Sequence, residues 1–359
     1  MNAWLLDHVG SIDSLQLRSV PDPVPGESQV LLELHYAALN PADRYLAEGQ
    51  YPAKPSFPHI LGRDGIGTVI AVGSKVKDVK IGDVKSIVRG DTGVNTPGTF
   101  AQRVAVDADS VIDPPANWSP EQTAGATLVY LTAYQAITQW GDLPVGTTLA
   151  STGSGQSARP DASDARGSGK PDPYGQHCVT LVTGASGGVG VAVVQLAKAM
   201  GHTVVGLSRD AGKREQVKEL GADFAFDPSD KGWTKTLTKE HKKRVNLVVD
   251  NVGGDGFNDL LSVMDMNGRL SVVGRLAGPV PEFNTAALFF RRLRIGGVAV
   301  GTYTREEAHT AWKALVGLMD KSGAKPLVDQ IFDFEKLPDA FARLQKGPMG
   351  KVLLRVKKD

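Results

Sequence analysis

The run Thr183-Gly184-Ala185-Ser186-Gly187-Gly188-Val189-Gly190 sets small residues at the spacing A-x-G-x-x-G. Before it stands Val179-Thr180-Leu181-Val182, and after it Val191-Ala192-Val193-Val194-Gln195-Leu196-Ala197-Lys198. A buried strand, a glycine turn and a helix in that order can receive a pyrophosphate. The opening turn of the helix offers free N–H groups and the positive end of its dipole. Gly187 then lets phosphate approach the backbone, Gly190 lets the helix pack closely on the strand, and Ala185 stands where a first glycine is usual. About 20 residues further on, where such folds meet the adenosine ribose, comes Gly206-Leu207-Ser208-Arg209-Asp210, with Lys213 and Arg214 beyond. Ser208 cannot hold two ribose hydroxyls as a carboxylate does, while Arg209 and Lys213 supply charge for an additional phosphate. This charge logic favours NADP over NAD. Asp210 is the complication, since a small backbone shift would point it at the ribose.

Other chemistry is sparse. Cys178, the single cysteine, heads a buried strand and reads as a small core hydrophobe. The seven histidines form no close-spaced cluster, so no metal site is expected. No Ser-His-Asp or Cys-His arrangement is readable, which argues against nucleophilic catalysis.

The elements that must position these residues follow from periodicity. The 359 residues suffice for two domains. Lys+Arg at 40 against Asp+Glu at 39 leave no field that invites nucleic acid or an anionic membrane. No apolar run is long enough to span a bilayer and no leader pattern opens the chain, so a soluble cytoplasmic protein is expected. From residue 4 to about 111, short alternating runs punctuated by Gly and Pro predict strands at 30–34, 67–72 and 100–106 in a mostly antiparallel, partly closed β domain. Ser119 and Gln122 form a capping box with Pro120 at the first helical position. Residues 151–177 are polar and rich in Gly, Ser and Pro, and read as a flexible insertion. From 179 to about 300 strands and helices alternate, which predicts a parallel sheet covered on both faces. Helices are expected at 211–220, 231–241, 256–266, 305–321 and 337–344, and a closing strand at 350–356. The apolar run at 293–300 reads as the last strand of the sheet, whose open edge invites a second subunit.

Further stretches carry a family resemblance. They are Ala38-Leu39-Asn40-Pro41-Ala42-Asp43-Arg44-Tyr45, Pro58-His59-Ile60-Leu61-Gly62-Arg63-Asp64-Gly65-Ile66-Gly67-Thr68-Val69, Val72-Gly73-Ser74-Lys75-Val76, Ile81-Gly82-Asp83, Asp250-Asn251-Val252-Gly253 and Gly350-Lys351-Val352-Leu353. With the glycine turn, and in this order, they resemble zinc-independent medium-chain dehydrogenase/reductases of the quinone oxidoreductase type. The resemblance implies an α/β protein with a GroES-like β-barrel domain (1–126 and 303–359) and a Rossmann-type doubly wound parallel-sheet domain (127–302). It implies that Asn40 and Tyr45 line the nicotinamide and substrate cleft, with Thr127 near the nicotinamide. Gly187, Gly188 and Val189 match the pyrophosphate loop, and Ser208, Arg209 and Lys213 the phosphate-selecting positions. Asn251, Gly274 and Lys351 match further cofactor contacts, and a homodimer is implied through the 293–300 edge. In zinc-dependent relatives a cysteine ligand falls near Leu39–Asn40 and a His-Glu pair occupies the place of Arg63-Asp64. Both departures agree with a metal-free site.

The activity this implies is hydride transfer from NADPH to quinones or other conjugated carbonyl compounds, with Asn40 and the Tyr45 hydroxyl as donors to the developing negative charge. Tyr45 could equally be an aromatic that only packs in the cleft. Two alternatives stand beside this reading. One is an enoyl thioester reductase on the same scaffold, for which Arg291, Arg292 and Arg294 would form a basic mouth. The other is a non-catalytic NADPH-binding protein.

Overall fold

The computed structural model describes residues 1–88, 90–141 and 178–357; the expected insertion at 151–177 lies outside the described residues. In the N-terminal region β1 (Asn2–Leu6), β2 (Gln16–Ser19), β3 (Gln29–Ala38), β4 (His59–Ile60), β5 (Asp64–Val72), β6 (Val84–Ile87), β7 (Arg103–Asp107) and β8 (Val111–Ile112) are joined by turns and short helices. The second region contains β9 (Val179–Thr183), β10 (Thr203–Leu207), β11 (Phe224–Phe226), β12 (Val245–Asp250), β13 (Met264–Val272) and β14 (Arg294–Gly297). The chain ends on β15 (Val328–Asp333) and β16 (Lys351–Arg355).

The second region forms one parallel sheet in the order β11-β10-β9-β12-β13-β14. Its strand order reverses between β9 and β12, and in such sheets ligands bind outside the carboxyl ends of the strands at that point. β9 is buried at all five positions, which explains its unbroken apolar and β-branched sequence. Helices Thr127–Thr138, Gly188–Ala199 and Arg305–Ser322 supply one face of the core through Tyr130, Leu131, Val193, Leu196, Trp312 and Leu315.

The N-terminal region forms a three-stranded antiparallel sheet, β2-β1-β4, and a larger one ordered β15-β16-β3-β5-β6-β8 with β7 on β3. The expected closing strand therefore returns to the first sheet: β16 pairs antiparallel with β3, Leu353 opposite Ala38. The capping box forms as read, Ser119 Oγ accepting from the Gln122 N–H at 3.2 Å and Gln122 Oε1 from the Ser119 N–H at 2.9 Å. Three elements are shorter than periodicity predicts. The helix expected at 256–266 ends at Val263, because Met264 is extended and pairs with Val245. That expected at 231–241 divides into an α turn, Trp233–Lys235, and a π turn, Thr236–Glu240. The edge strand stops at Gly297 and the chain turns through Val300–Thr302.

Candidate active site

The glycine turn lies between β9 and helix Gly188–Ala199. Gly184 has φ +58°, open to glycine at little cost, and this turns the chain off the strand end. A Cβ on Gly190 would fall on the Gly184 carbonyl oxygen and lie 2.7 Å from Ala185 Cα, so the helix is set against the turn as closely as backbone allows. Gly187 is different: a Cβ there meets nothing nearer than 3.5 Å. Its side faces open space, which a ligand can use. Gly187 is the N-cap and makes no side-chain capping bond, so the first-turn N–H groups of Gly188, Val189 and Gly190 remain for an acceptor. Ala185 is fully buried and packs inward, 3.1 Å from the position a Cβ would take on Gly206.

Opposite the turn, at the end of β12, Asp250 Oδ1 accepts from Thr183 Oγ1 (2.7 Å) and from the N–H groups of Val252 and Gly253. Asn251 donates through Nδ2 to the Thr183 carbonyl at 2.8 Å. Asp250 Oδ2 and Asn251 Oδ1 are buried without a partner. Gly274 keeps this crevice narrow, its Cβ position lying 2.8 Å from the Asn251 carbonyl oxygen. An uncapped helix N-terminus and two unpartnered acceptor atoms across one switch point fit a ligand that carries both phosphate oxygens and hydroxyl or amide donors.

At the end of β10 the question over Asp210 is answered by its side chain. It caps helix Ala211–Glu219, Oδ1 accepting from the Lys213 N–H at 2.9 Å. Ser208 is buried, Arg209 is exposed, and the Lys213 ammonium donates to the Gly347 carbonyl. Arg214 turns back onto the Ser208 and Arg209 carbonyls, both at 2.9 Å, and onto Asp227.

A buried polar network couples the two regions, and its centre is Asp64, which the sequence marks only as half of the Arg63-Asp64 pair. Asp64 Oδ1 accepts from Thr127 Oγ1 (2.8 Å) and the Leu128 N–H (3.1 Å), Oδ2 from Asn40 Nδ2 (2.9 Å) and Lys351 Nζ (3.3 Å). Lys351 also donates to the Leu39 carbonyl (2.9 Å) and Asn40 Oδ1 (2.6 Å). Its Cδ lies 2.9 Å from the Cβ position of Gly188, and Gly350 donates to the Ser186 carbonyl at 2.8 Å. Asn40, Thr127 and Lys351, read separately from sequence, are thus one cluster against the glycine turn. A signal for Asp64 did exist: Asp64 and Lys351 are opposite charges that stand just before the largely apolar runs 65–72 and 352–354, and buried charges are paired. The geometry also changes the expectation for Asn40. Both ends of its amide are engaged inside the protein, and the residue is 3 % exposed.

By the family resemblance, Arg63 and Asp64 take the place of the His-Glu pair of zinc-dependent relatives. With Lys351 on Asp64, and Arg63 a cation with no lone pair to give, this pair does not suit a zinc ion. Helix Pro41–Ala47 presents Asp43 and Tyr45. Asp43 accepts from the Asn40 N–H at 2.8 Å, and burial pushes its carboxyl up to about 6 against the pull of Arg63. Tyr45 is half-buried, with the Arg44 guanidinium 6.0 Å from its ring. Cys178 is fully buried and its thiol is pushed up to about 12, in line with a packing role. Arg291 donates to the Met264 and Ser262 carbonyls at 3.0 and 3.3 Å, so it braces the sheet edge and does not line a mouth.

A Rossmann-type parallel sheet with a glycine turn at its switch point, joined to a β domain that the C-terminal strand completes, defines a dinucleotide-binding oxidoreductase. Comparison with known proteins agrees. The model of the alcohol dehydrogenase GroES-like domain matches residues 26–116, and that of the zinc-binding dehydrogenases residues 188–320. The chain is 26 % identical to the quinone oxidoreductase of Sus scrofa, covering 99 % of this chain and 97 % of the relative. It is 28 % identical to the human synaptic vesicle membrane protein VAT-1 homolog over 99 % of this chain and 86 % of that one. Among solved structures, the Escherichia coli quinone oxidoreductase complexed with NADPH superposes with a TM-score of 0.81 at 25 % identity, over 99 % of this chain and 100 % of the other. An NAD-dependent alcohol dehydrogenase does so with a TM-score of 0.83, also at 25 % identity and with the same coverage. The chain belongs to the medium-chain dehydrogenase/reductase superfamily, quinone oxidoreductase type, and is an oxidoreductase.

Proposed function

We propose that the protein transfers hydride from NADPH to conjugated carbonyl compounds, quinones among them, without zinc. The observation that carries this reading is the switch point itself, where an uncapped helix N-terminus faces the unpartnered Asp250 Oδ2 and Asn251 Oδ1 beside the buried Lys351–Asp64 ion pair. NADPH, when bound, supplies the hydride. The protein's part is to bind, orient and keep water out. Gly187, Gly188 and Val189 take the pyrophosphate, Asn251 and Gly274 border the nicotinamide ribose, and Thr127 and Lys351 hold the cleft wall at the nicotinamide. Tyr45 remains available to the substrate, whereas Asn40 orients Lys351 and Asp64.

The relatives include a protein bound to NADPH and one described as NAD-dependent, so the residues at the end of β10 decide. Asp210 is occupied as a cap, and Ser208 and Arg209 meet a 2′-phosphate, with Lys213 joining them from its place on the Gly347 carbonyl. Arg209→Ala is expected to raise the Kd for NADPH about 10–100-fold, the loss of one charge-assisted hydrogen bond, with the Kd for NADH unchanged. Fluorescence titration of the two nucleotides checks this; equal losses would place Arg209 away from the phosphate.

The same reading divides the chain into 1–126 with 303–359 and 127–302, though helix Arg305–Ser322 packs in one core with Thr127–Thr138 and Gly188–Ala199, and it places the protein in the cytoplasm; among the described residues no helix is long and apolar enough to cross a membrane. It also pairs two subunits through β14. That strand is the sheet's edge, Ile295 on it is 36 % exposed, and Phe289 and Phe290 beside it are 63 % and 73 % exposed. Sedimentation is expected to show a dimer that Ile295→Lys converts to monomer; a monomeric parent protein would refute the pairing. The reaction itself is tested by NADPH oxidation across quinones, enals, enones and enoyl thioesters. Tight NADPH binding with turnover of none of them would overturn the proposed activity.

A further inference from the structure

Two cations flank the start of helix Pro41–Ala47, Lys351 on Asn40 and Arg63 beside Asp43, and they differ in what each has left for a ligand. Lys351 directs its ammonium to the Leu39 carbonyl, Asn40 Oδ1 and Asp64 Oδ2, which accounts for its three donors. Arg63 lies over Tyr51, its guanidinium carbon 4.4 Å from the ring centroid, and Nη1 donates to the Tyr51 hydroxyl at 3.0 Å. Its Nε and Nη2 are buried and have no acceptor. Asp43 Oδ1 stands 3.5 Å from Nε without a hydrogen bond and is unpartnered as well. Asp43 therefore holds the guanidinium in place without satisfying it. Buried charged donors are normally paired, and this one adjoins the Asp64 network in a side chain that keeps 12 % exposure.

The proposed reaction needs such a group. The acceptor's β-carbon gains a hydrogen with its electron pair, and the C=C pair shifts into the carbonyl. The oxygen then carries the charge until solvent supplies a proton, while the nicotinamide is left oxidised. A donor aimed at that oxygen in a dry site stabilises the charge as it forms. Asn40 and Lys351 are already engaged, and Tyr45 is neutral. We propose that Arg63, preset on Tyr51, is the electrophile that receives the acceptor's carbonyl oxygen. With Nη1 held by Tyr51, Nε and Nη2 are the donors left for that oxygen. The inference rests on the proposed activity and narrows it. The favoured substrates are enones and enals, in which the charge collects on the carbonyl oxygen; the anion that a quinone gives is an aryl oxide, which spreads its charge into the ring.

The test pairs a binding readout with turnover. 4-Nitrophenol, whose absorbance distinguishes phenol from phenolate, is titrated into the protein in the presence of NADP+ at constant pH. The parent protein is expected to prefer phenolate by about tenfold or more, as an adjacent guanidinium does for an acid. Arg63→Met should lose that preference while its melting temperature and NADPH affinity hold, and Arg63→Lys should keep part of it. In turnover, Arg63→Met is expected to lower kcat about 100-fold for an enone and distinctly less for a para-quinone. Unchanged phenolate preference in Arg63→Met, or an equal loss on both acceptors, overturns the inference while leaving the activity standing. Should Arg63→Met fail to fold, Arg63→Lys carries the comparison, and an unaltered phenolate preference there refutes the role of the guanidinium. A parent protein that oxidises NADPH with neither acceptor removes the activity, and the inference with it.

Discussion

Asp64→Ala is expected to destabilise the protein by about 3–5 kcal/mol, because it removes the carboxylate that the buried Lys351 ammonium is paired with. The Lys351 and Asp64 side chains are only 6 % and 2 % exposed, so water cannot take over the missing contact. Thr127 Oγ1 and the Leu128 N–H lose their acceptor in the same step, which adds unsatisfied donors at the start of helix Thr127–Thr138. Denaturant unfolding measures the loss. The double variant Asp64→Leu/Lys351→Met should recover a large part of it, since replacing both members of a buried pair by apolar groups is often near neutral. A loss under about 1 kcal/mol for the single variant would mean that the pair behaves as a solvated one. The double variant should nonetheless remain poor in turnover, as Lys351 also fixes Asn40 and abuts the glycine turn.

Gly190→Ala and Gly187→Ala are expected to separate packing from ligand clearance within one turn. The Gly190 Cβ would meet the Gly184 carbonyl and lie 2.7 and 2.8 Å from Ala185 Cα and C, all backbone atoms that cannot rotate away. The helix must move off the strand, at a cost of about 1–3 kcal/mol or more, and the NADPH Kd should rise with it. At Gly187 the nearest atom to an added Cβ is 3.5 Å away and φ is −76°, so alanine fits the free protein without strain. Its methyl group would instead occupy the space kept for phosphate. Gly187→Ala should therefore melt as the parent protein does while its NADPH Kd rises at least about tenfold, the equivalent of about 1.4 kcal/mol. Thermal melting and nucleotide titration together decide the matter. Parent-like NADPH binding by Gly187→Ala would move the pyrophosphate away from this turn.

The dinucleotide half was legible because its signals are local. Strand, glycine turn and helix follow one another without interruption from Val179 to Ala199, and each residue's part depends on neighbours a few positions away. The same holds for the Ser119 capping box and for the alternation that gives the parallel sheet. Bounds failed where pairing with a distant strand outweighed local period, as at Met264, which Val245 draws into β13. β15, pairing in parallel with β16, left no signal strong enough to read.

The catalytic cleft was legible only in part, and the reason is distance along the chain. Sequence by itself determined the fold, the glycine turn and the residue types at its rim, because those rest on periodicity and on what glycine alone permits. Tertiary structure decided what the polar residues do. Asp64 meets Asn40 because β5 pairs with β3, Thr127 through the start of helix Thr127–Thr138, and Lys351 because β16 returns to lie beside β3. That meeting, 311 positions apart for Asn40 and Lys351, takes up the amide that sequence had offered to substrate. Asp210 is settled by a helix cap, and Arg63 is left with unmatched donors by the separation of Asp43. A buried charge must find its partner wherever the fold brings one, and no spacing in the sequence records that choice.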